Sequence, residues 1–113
     1  MTDHLAKVTR PSGGAGFSRG EVKQVKDHLF VQEQLIEDYE TGEVVSRRFD
    51  PDEEIAAAWG RLRSGRAQHS DLVLLEHELV ESSYLKANQG VTYQEAHRHA
   101  NARYNWQSLI ENG

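Results

Sequence analysis

Asp71-Leu72-Val73-Leu74-Leu75-Glu76-His77-Glu78-Leu79-Val80-Glu81-Ser82-Ser83-Tyr84-Leu85 is the stretch on which the fold turns. At a helical turn of about 100° per residue, Leu72, Leu75 and Leu79 share one face. His77, Glu81 and Tyr84 lie nearly opposite, flanked by Val73, Leu74 and Val80. Apolar side chains on two opposed sides predict a helix covered on both, running from about Ser70 or Asp71 to about Ala87. His77 and Glu81 are then sunk among apolar neighbours. A carboxylate buried alone is costly, so Glu81 requires a cation, a donor or a proton beside it.

Downstream, Asn88-Gln89-Gly90 stops this helix, and Thr92-Tyr93-Gln94-Glu95 reads as a capping box that opens another, to about Tyr104. His97 shares a face with Tyr93, Ala100 and Tyr104, whereas His99 falls on the opposite, wet side with Glu95, Ala102 and Arg103. The short connection predicts antiparallel packing, which would carry His97 towards His77 and Glu81.

Upstream, Ser18-Arg19-Gly20-Glu21 is a capping box, followed by a stripe of Val22, Val25, Leu29 and Ile36. It predicts a helix from about Arg19 to Asp38, with Glu40-Thr41-Gly42-Glu43 as a turn. The rival reading is a short β-hairpin near residues 30–49, because Phe30-Val31 and Val44-Val45 favour strands. Asp50 as cap, Pro51 at the first helical position and Glu53 predict a further helix, with Ile55, Ala58, Trp59 and Leu62 inward and Gly65 at its end. The expected fold is therefore all-α, a small bundle of about four helices. Residues 1–16, containing Pro11-Ser12-Gly13-Gly14-Ala15-Gly16, read as a flexible leader, and 17–113 as a single domain.

The chain of 113 residues suits one core, and its hydrophobic fraction of 37% and charged fraction of 27% are ordinary for a soluble protein. Absence of cysteine removes disulfides, iron–sulfur clusters, thiolate zinc sites and cysteine nucleophiles. A net charge of −5 argues against a broad nucleic-acid-binding surface, though a compact nuclease centre depends on local charge. No apolar run approaches a bilayer span, so no membrane partner is expected.

His77 and Glu81 are spaced for an i,i+4 contact, and with His97 they form the pattern HExxE…H. The zincin signature has a second histidine where Glu81 stands and uses the intervening glutamate, here Glu78, as general base. Two histidines and a glutamate form an acceptable catalytic zinc set. Three readings stay open: a satisfied core hydrogen bond, a metal site of His77, Glu81 and His97, and a metal-free His/Glu acid–base site. His28, at the edge of the first stripe near Val25, Gln32, Leu35 and Tyr39, is a further candidate, with a boundary histidine as its plainer reading. Asp27 turns away into solvent. Tyr84, Trp59 and Trp106 read as packing residues. Arg47-Arg48 and Arg61, Arg63 and Arg66 are basic patches; the second set sits where a helix C-terminus favours cations, with phosphate contact as the alternative.

Lys26-Asp27-His28-Leu29-Phe30, Arg48-Phe49-Asp50-Pro51, Glu54-Ile55-Ala56-Ala57-Ala58-Trp59 with Arg61-Leu62, Leu74 to Ser82, and Tyr93-Gln94-Glu95-Ala96-His97 follow one another as a set. Together they resemble the C-terminal effector domains of bacterial polymorphic toxins, of the kind attached to Rhs-repeat or contact-dependent delivery proteins. The resemblance implies a secreted domain, delivered into the cytoplasm of a neighbouring cell and neutralised by a cognate immunity protein. It also implies an enzyme, most often a nuclease acting on nucleic acid, less often a peptidase. The cofactor expectation is a divalent metal: zinc for a peptidase, magnesium or zinc for a nuclease. The alternative of another class is a non-catalytic helical module that binds a protein.

Overall fold

The computed structural model describes residues 5–37, 40–48, 52–106 and 108–109. Ser18 opens the first helix, α1 (Arg19–Phe30): its hydroxyl accepts from the Glu21 N–H at 3.1 Å, and the Glu21 carboxylate accepts from the Ser18 N–H at 2.9 Å. The helix ends at Phe30 rather than near Asp38. Beyond it come β1 (Gln34–Glu37) and β2 (Val44–Arg47), an antiparallel hairpin pairing Gln34 with Arg47 and Glu37 with Val44. The rival reading is therefore the right one for this stretch. Ile36 fits the helical stripe and the inward side of an alternating strand equally well, and tertiary contact decides. The Gln94 side chain accepts from the Glu37 N–H and donates to the Glu37 carbonyl, both at 3.1 Å, and pins β1 in extended form.

The next helix, α2 (Glu53–Arg63), is capped by Asp52, whose carboxylate accepts from the N–H groups of Glu54 and Ile55. Asp52 is as competent a cap as Asp50 and lies directly before the helix, so the predicted start moves two residues. Asp50, Pro51, Phe49 and Tyr39 lie outside the described residues. Gly65 follows the end with φ +76°, the left-handed geometry glycine supplies cheaply after a helix.

The central helix, α3 (His69–Ala87), runs to the predicted end. Its final partner, α4 (Tyr93–Asn101), starts at a Thr92 cap but stops three residues short of Tyr104. There the Arg103 and Tyr104 N–H groups both turn back to the Ala100 carbonyl. Only half of the second predicted capping box forms, because the Glu95 carboxylate accepts from the Tyr84 hydroxyl instead. The pairs Tyr84–Glu95, Glu81–His97 and His77–Tyr104 run in opposite chain directions, so α3 and α4 are antiparallel.

The bundle wraps α3 as its two apolar sides require. Leu75 and Leu79 pack with Phe17, Val22, Val25, Leu29, Trp59 and Leu62, while Val73 and Leu74 pack with Ala58 and Trp106. Each fully buried leucine or phenylalanine contributes about 1.5–3 kcal/mol of transfer free energy. Trp59 and Trp106 are core residues, as expected.

Residues 5–17, whose composition suggests a linker, are seated on the domain. Leu5 is fully buried, and its carbonyl accepts from the Phe17 N–H at 2.8 Å. Gly16 lies against the backbone of Ala6 with φ +71°, leaving no room for a Cβ. Arg10 grips the buried Glu76 with Nε and Nη2 and reaches Glu21 with Nη1, while the Ser12 N–H adds a bond to Glu76 at 2.9 Å. Composition alone misses this docking, because one leucine and one arginine carry it. Among the described residues no helix is long and apolar enough to cross a membrane.

Candidate functional site

Covering α3 with α1, α2 and α4 leaves its buried polar residues to be satisfied individually. Asp71 is held by Arg61 through two bonds, at 2.8 and 2.7 Å. Arg61 therefore ties α2 to α3 and is not a free phosphate contact. The remaining acids and imidazoles gather where α3 meets α1 and α4.

His77 is the best-defined member. Its Nδ1 lies 2.8 Å from the Tyr104 carbonyl, which can only accept, so Nδ1 carries hydrogen and donates. The other ring nitrogen, Nε2, faces Glu81 Oε2 at 3.0 Å and His97 Nδ1 at 3.2 Å. His97 Nδ1 is itself 3.0 Å from Glu81 Oε2 and 3.2 Å from the Tyr93 hydroxyl. The three expected residues thus meet in a nearly equilateral triangle of donor atoms. Glu81 is 1% exposed and His97 30%, so the triangle meets solvent on the His97 side.

Hydrogen bonds to Glu81 Oε2 from the two ring nitrogens satisfy all three atoms, but they occupy two edges of the triangle and not the third. Each edge needs a proton lying on it, an ionised Glu81 supplies none, and each imidazole nitrogen supplies at most one. Two protons serve three edges at best. A single cation at the centre serves all three. Zinc–ligand distances of about 2.0–2.1 Å imply tetrahedral edges of about 3.3–3.4 Å, slightly longer than those here. The Tyr104 carbonyl supplies the outer partner that metal-bound imidazoles usually have.

His28 comes from α1 and is fully buried, not a boundary residue. Its Nε2 lies 2.7 Å from Glu81 Oε1 and 3.2 Å from Glu78 Oε2, and its Nδ1 lies 3.3 Å from the Gln34 amide nitrogen. Glu81 therefore offers one oxygen to each side. Glu78 pairs with His28 at 3.2 Å and is not among the ligand atoms of the His77–Glu81–His97 group, as a general base would not be. Its Oε2 is buried without a hydrogen bond, since the single Nε2–H of His28 is committed to the nearer Glu81 oxygen.

The charges follow. Burial alone would lower His28, but hydrogen bonds and attraction from Glu78 and Glu81 overcome it and push its pKa up to about 9. Burial also opposes the charged form of His77, yet Glu81, Glu78 and the Tyr104 carbonyl hold it above its ordinary value. Burial would raise Glu81, but bonds to His28, His77 and His97 outweigh it and keep the carboxyl well below the carboxylate range. Glu78 is raised, by burial first and by the negative charge of Glu81 second.

The other sequence candidates are dispersed. Tyr84 is half-buried and stacks on the exposed His99 with ring centres 4.5 Å apart. Asp27 pairs with Lys23 at 2.6 Å. A groove of about 600 Å³ runs past Arg10, Ser83, Tyr84, His99 and Arg103 on the neighbouring side of α3. It contains none of the clustered histidines and touches the cluster only through Tyr104. Three participants carry little or no signal in the sequence. Gln34 is hidden by the strand read as helix, Tyr104 acts through its backbone, and Tyr93 is marked only by standing four residues before His97.

Among the described residues, two groups of potential metal ligands share Glu81: His77, Glu81 and His97, and His28, Glu78 and Glu81. Comparison of the chain with family models, with curated proteins and with solved structures finds no match, and the site is read from its own geometry.

Proposed function

We propose that this chain is a metal-assisted hydrolase domain of the toxin-effector kind, with nucleic-acid phosphodiesters as the favoured substrate. The observation that carries the chemistry is the triangle of His77 Nε2, Glu81 Oε2 and His97 Nδ1, at 3.0, 3.0 and 3.2 Å, three donor atoms converging at metal-ligand spacing. A bound divalent cation acidifies water towards neutral pH and polarises the scissile group.

The chain's own residues do the rest. Tyr104 fixes which nitrogen of His77 faces inward. His28 holds the far oxygen of Glu81 and keeps that carboxylate ionised. The partly exposed ring of His97 is the point of approach for substrate, with the Tyr93 hydroxyl beside it. Apolar packing around α3 excludes water from the other sides, which strengthens the electrostatics within.

Support for a phosphodiester substrate comes from the resemblance to toxin effectors. A peptidase remains the second reading, favoured by the His77-Glu78-Leu79-Val80-Glu81 spacing. One set of measurements separates these readings. The full chain and its His97→Ala form are expressed, growth is scored after induction, and the purified proteins are assayed for metal, for RNA and DNA cleavage and for peptide cleavage. The nuclease reading expects bound metal, arrested growth and nucleic-acid breakdown, with the arrest and the breakdown lost and the metal content lowered in His97→Ala. Peptide cleavage with intact nucleic acid selects the peptidase. Metal-free protein, normal growth and no hydrolysis overturn both and leave a non-catalytic helical module.

A further inference from the structure

The triangle uses one oxygen of Glu81 and leaves a second polar group behind it. There, two buried carboxylates share one imidazole edge. His28 Nε2 approaches Glu81 Oε1 at 2.7 Å and Glu78 Oε2 at 3.2 Å, but it has one hydrogen to give. Glu78 Oε2 is left buried with no hydrogen bond, aimed into the space bounded by His28 and Glu81. A buried, unsatisfied carboxylate oxygen has a large desolvation cost, and native structures seldom retain one without a role. One donor atom each from His28, Glu78 and Glu81 lies within 4.8 Å of the others, as in the first group.

We propose that His28, Glu78 and Glu81 form a second divalent-cation site, bridged to the first by the two oxygens of Glu81. The protein then carries a two-metal centre, of the type that clamps the attacking and leaving oxygens of a phosphoryl transfer. This rests on the triangle being a metal site, and it suits phosphate esters, although two-metal centres also serve peptide hydrolysis. The ligand inventory suits it. Two carboxylates and three imidazoles supply five groups, with one carboxylate shared. Gln34 also has a place: coordination through His28 Nε2 requires hydrogen on Nδ1, and the Gln34 amide, rotated by half a turn, presents its oxygen to that hydrogen at the present 3.3 Å separation. Hard oxygen ligands shared between two cations suit manganese or magnesium as well as zinc.

The test counts cations. The full chain is stripped with chelator and titrated with Mn²⁺ by calorimetry, then its metal content is measured after dialysis. Two equivalents are expected for the unmodified chain, one for Glu78→Gln and one for His97→Ala. Glu78→Gln is isosteric and keeps the His28–Glu81 contact. Electron paramagnetic resonance of the Mn²⁺-loaded, unmodified chain gives a readout independent of any variant: a spin-coupled multiline spectrum is expected, and an isolated-ion spectrum at saturation overturns the proposal. A single equivalent that His97→Ala abolishes and Glu78→Gln leaves intact removes the second site while the first stands. No binding at all removes both. Two equivalents, or none, in Glu78→Gln also overturn the assignment.

Discussion

Arg10 offers the sharpest test of how the leader is joined to the domain. Its guanidinium is the main partner of Glu76, whose side chain is 3% exposed and therefore has no water to fall back on. Arg10→Ala removes the Nε bond at 2.9 Å, the parallel Nη2 contact and the Nη1 bond to Glu21 at 2.8 Å. It also removes the cation stacked 4.3 Å from the Phe17 ring centre. Breaking one side of a buried ion pair costs about 3–5 kcal/mol. The Ser12 N–H remains on Glu76 and Arg10 is partly exposed, so the expected loss is at the lower end, about 3 kcal/mol. A change of 1 kcal/mol shifts the melting temperature of a domain near this size by about 4–8 °C. The variant should therefore melt at least about 10 °C lower. Urea denaturation followed by far-UV circular dichroism gives the free energy, and Arg10→Met combined with Glu76→Gln should recover most of it. A loss below about 0.5 kcal/mol would mean that residues before Phe17 are the free linker their composition suggests.

Three further outcomes follow from the packing and the cluster. Gly16→Ala drives a Cβ into the Ala6 backbone at a positive φ; a destabilisation of about 2 kcal/mol or more is expected in the same denaturation assay. His97→Ala should lower hydrolysis by about 100-fold or more, beyond the 10–100-fold typical of losing an outer-shell partner, with little change in melting temperature because the ring is partly exposed. In the chelated protein, His28 is raised from 6.5 to about 9, so its stabilising contribution is full below pH 6.5 and is lost as pH rises through 9. At about 1.4 kcal/mol per unit, the fall amounts to about 3 kcal/mol. A flat stability profile over that window, or a His28 ring that titrates near 6.5 by NMR, would contradict this account.

What the sequence makes legible is what local pattern determines. The Ser18–Glu21 box forms because its two partners are three residues apart, and the two-sided pattern of α3 leads directly to its central position. The meeting of His77, Glu81 and His97 follows from helical phase and a short connection. The misses have non-local causes. Ile36 satisfies two periodicities, and pairing with β2 together with Gln94, far along the chain, selects the strand. Arg61 reads as one of a basic patch and Arg10 as part of a linker until Asp71 and Glu76 are found buried opposite them. Glu78 stands next to His77 in sequence, yet its carboxylate pairs with His28 from α1, a contact that no local pattern announces.

Four acids, Asp71, Glu76, Glu78 and Glu81, occupy the helix against which α1, α2 and α4 all pack. Two are matched by single arginines from different segments and one by three imidazoles. None of those neutralising groups except His77 belongs to α3 itself. A half-collapsed chain would press bare carboxylates against leucine and tryptophan, a state more costly than either the open chain or the finished one. The acids thus act as a proofreading device for assembly: apolar condensation around α3 becomes favourable only when the leader, α1, α2 and α4 arrive together, which favours all-or-none folding.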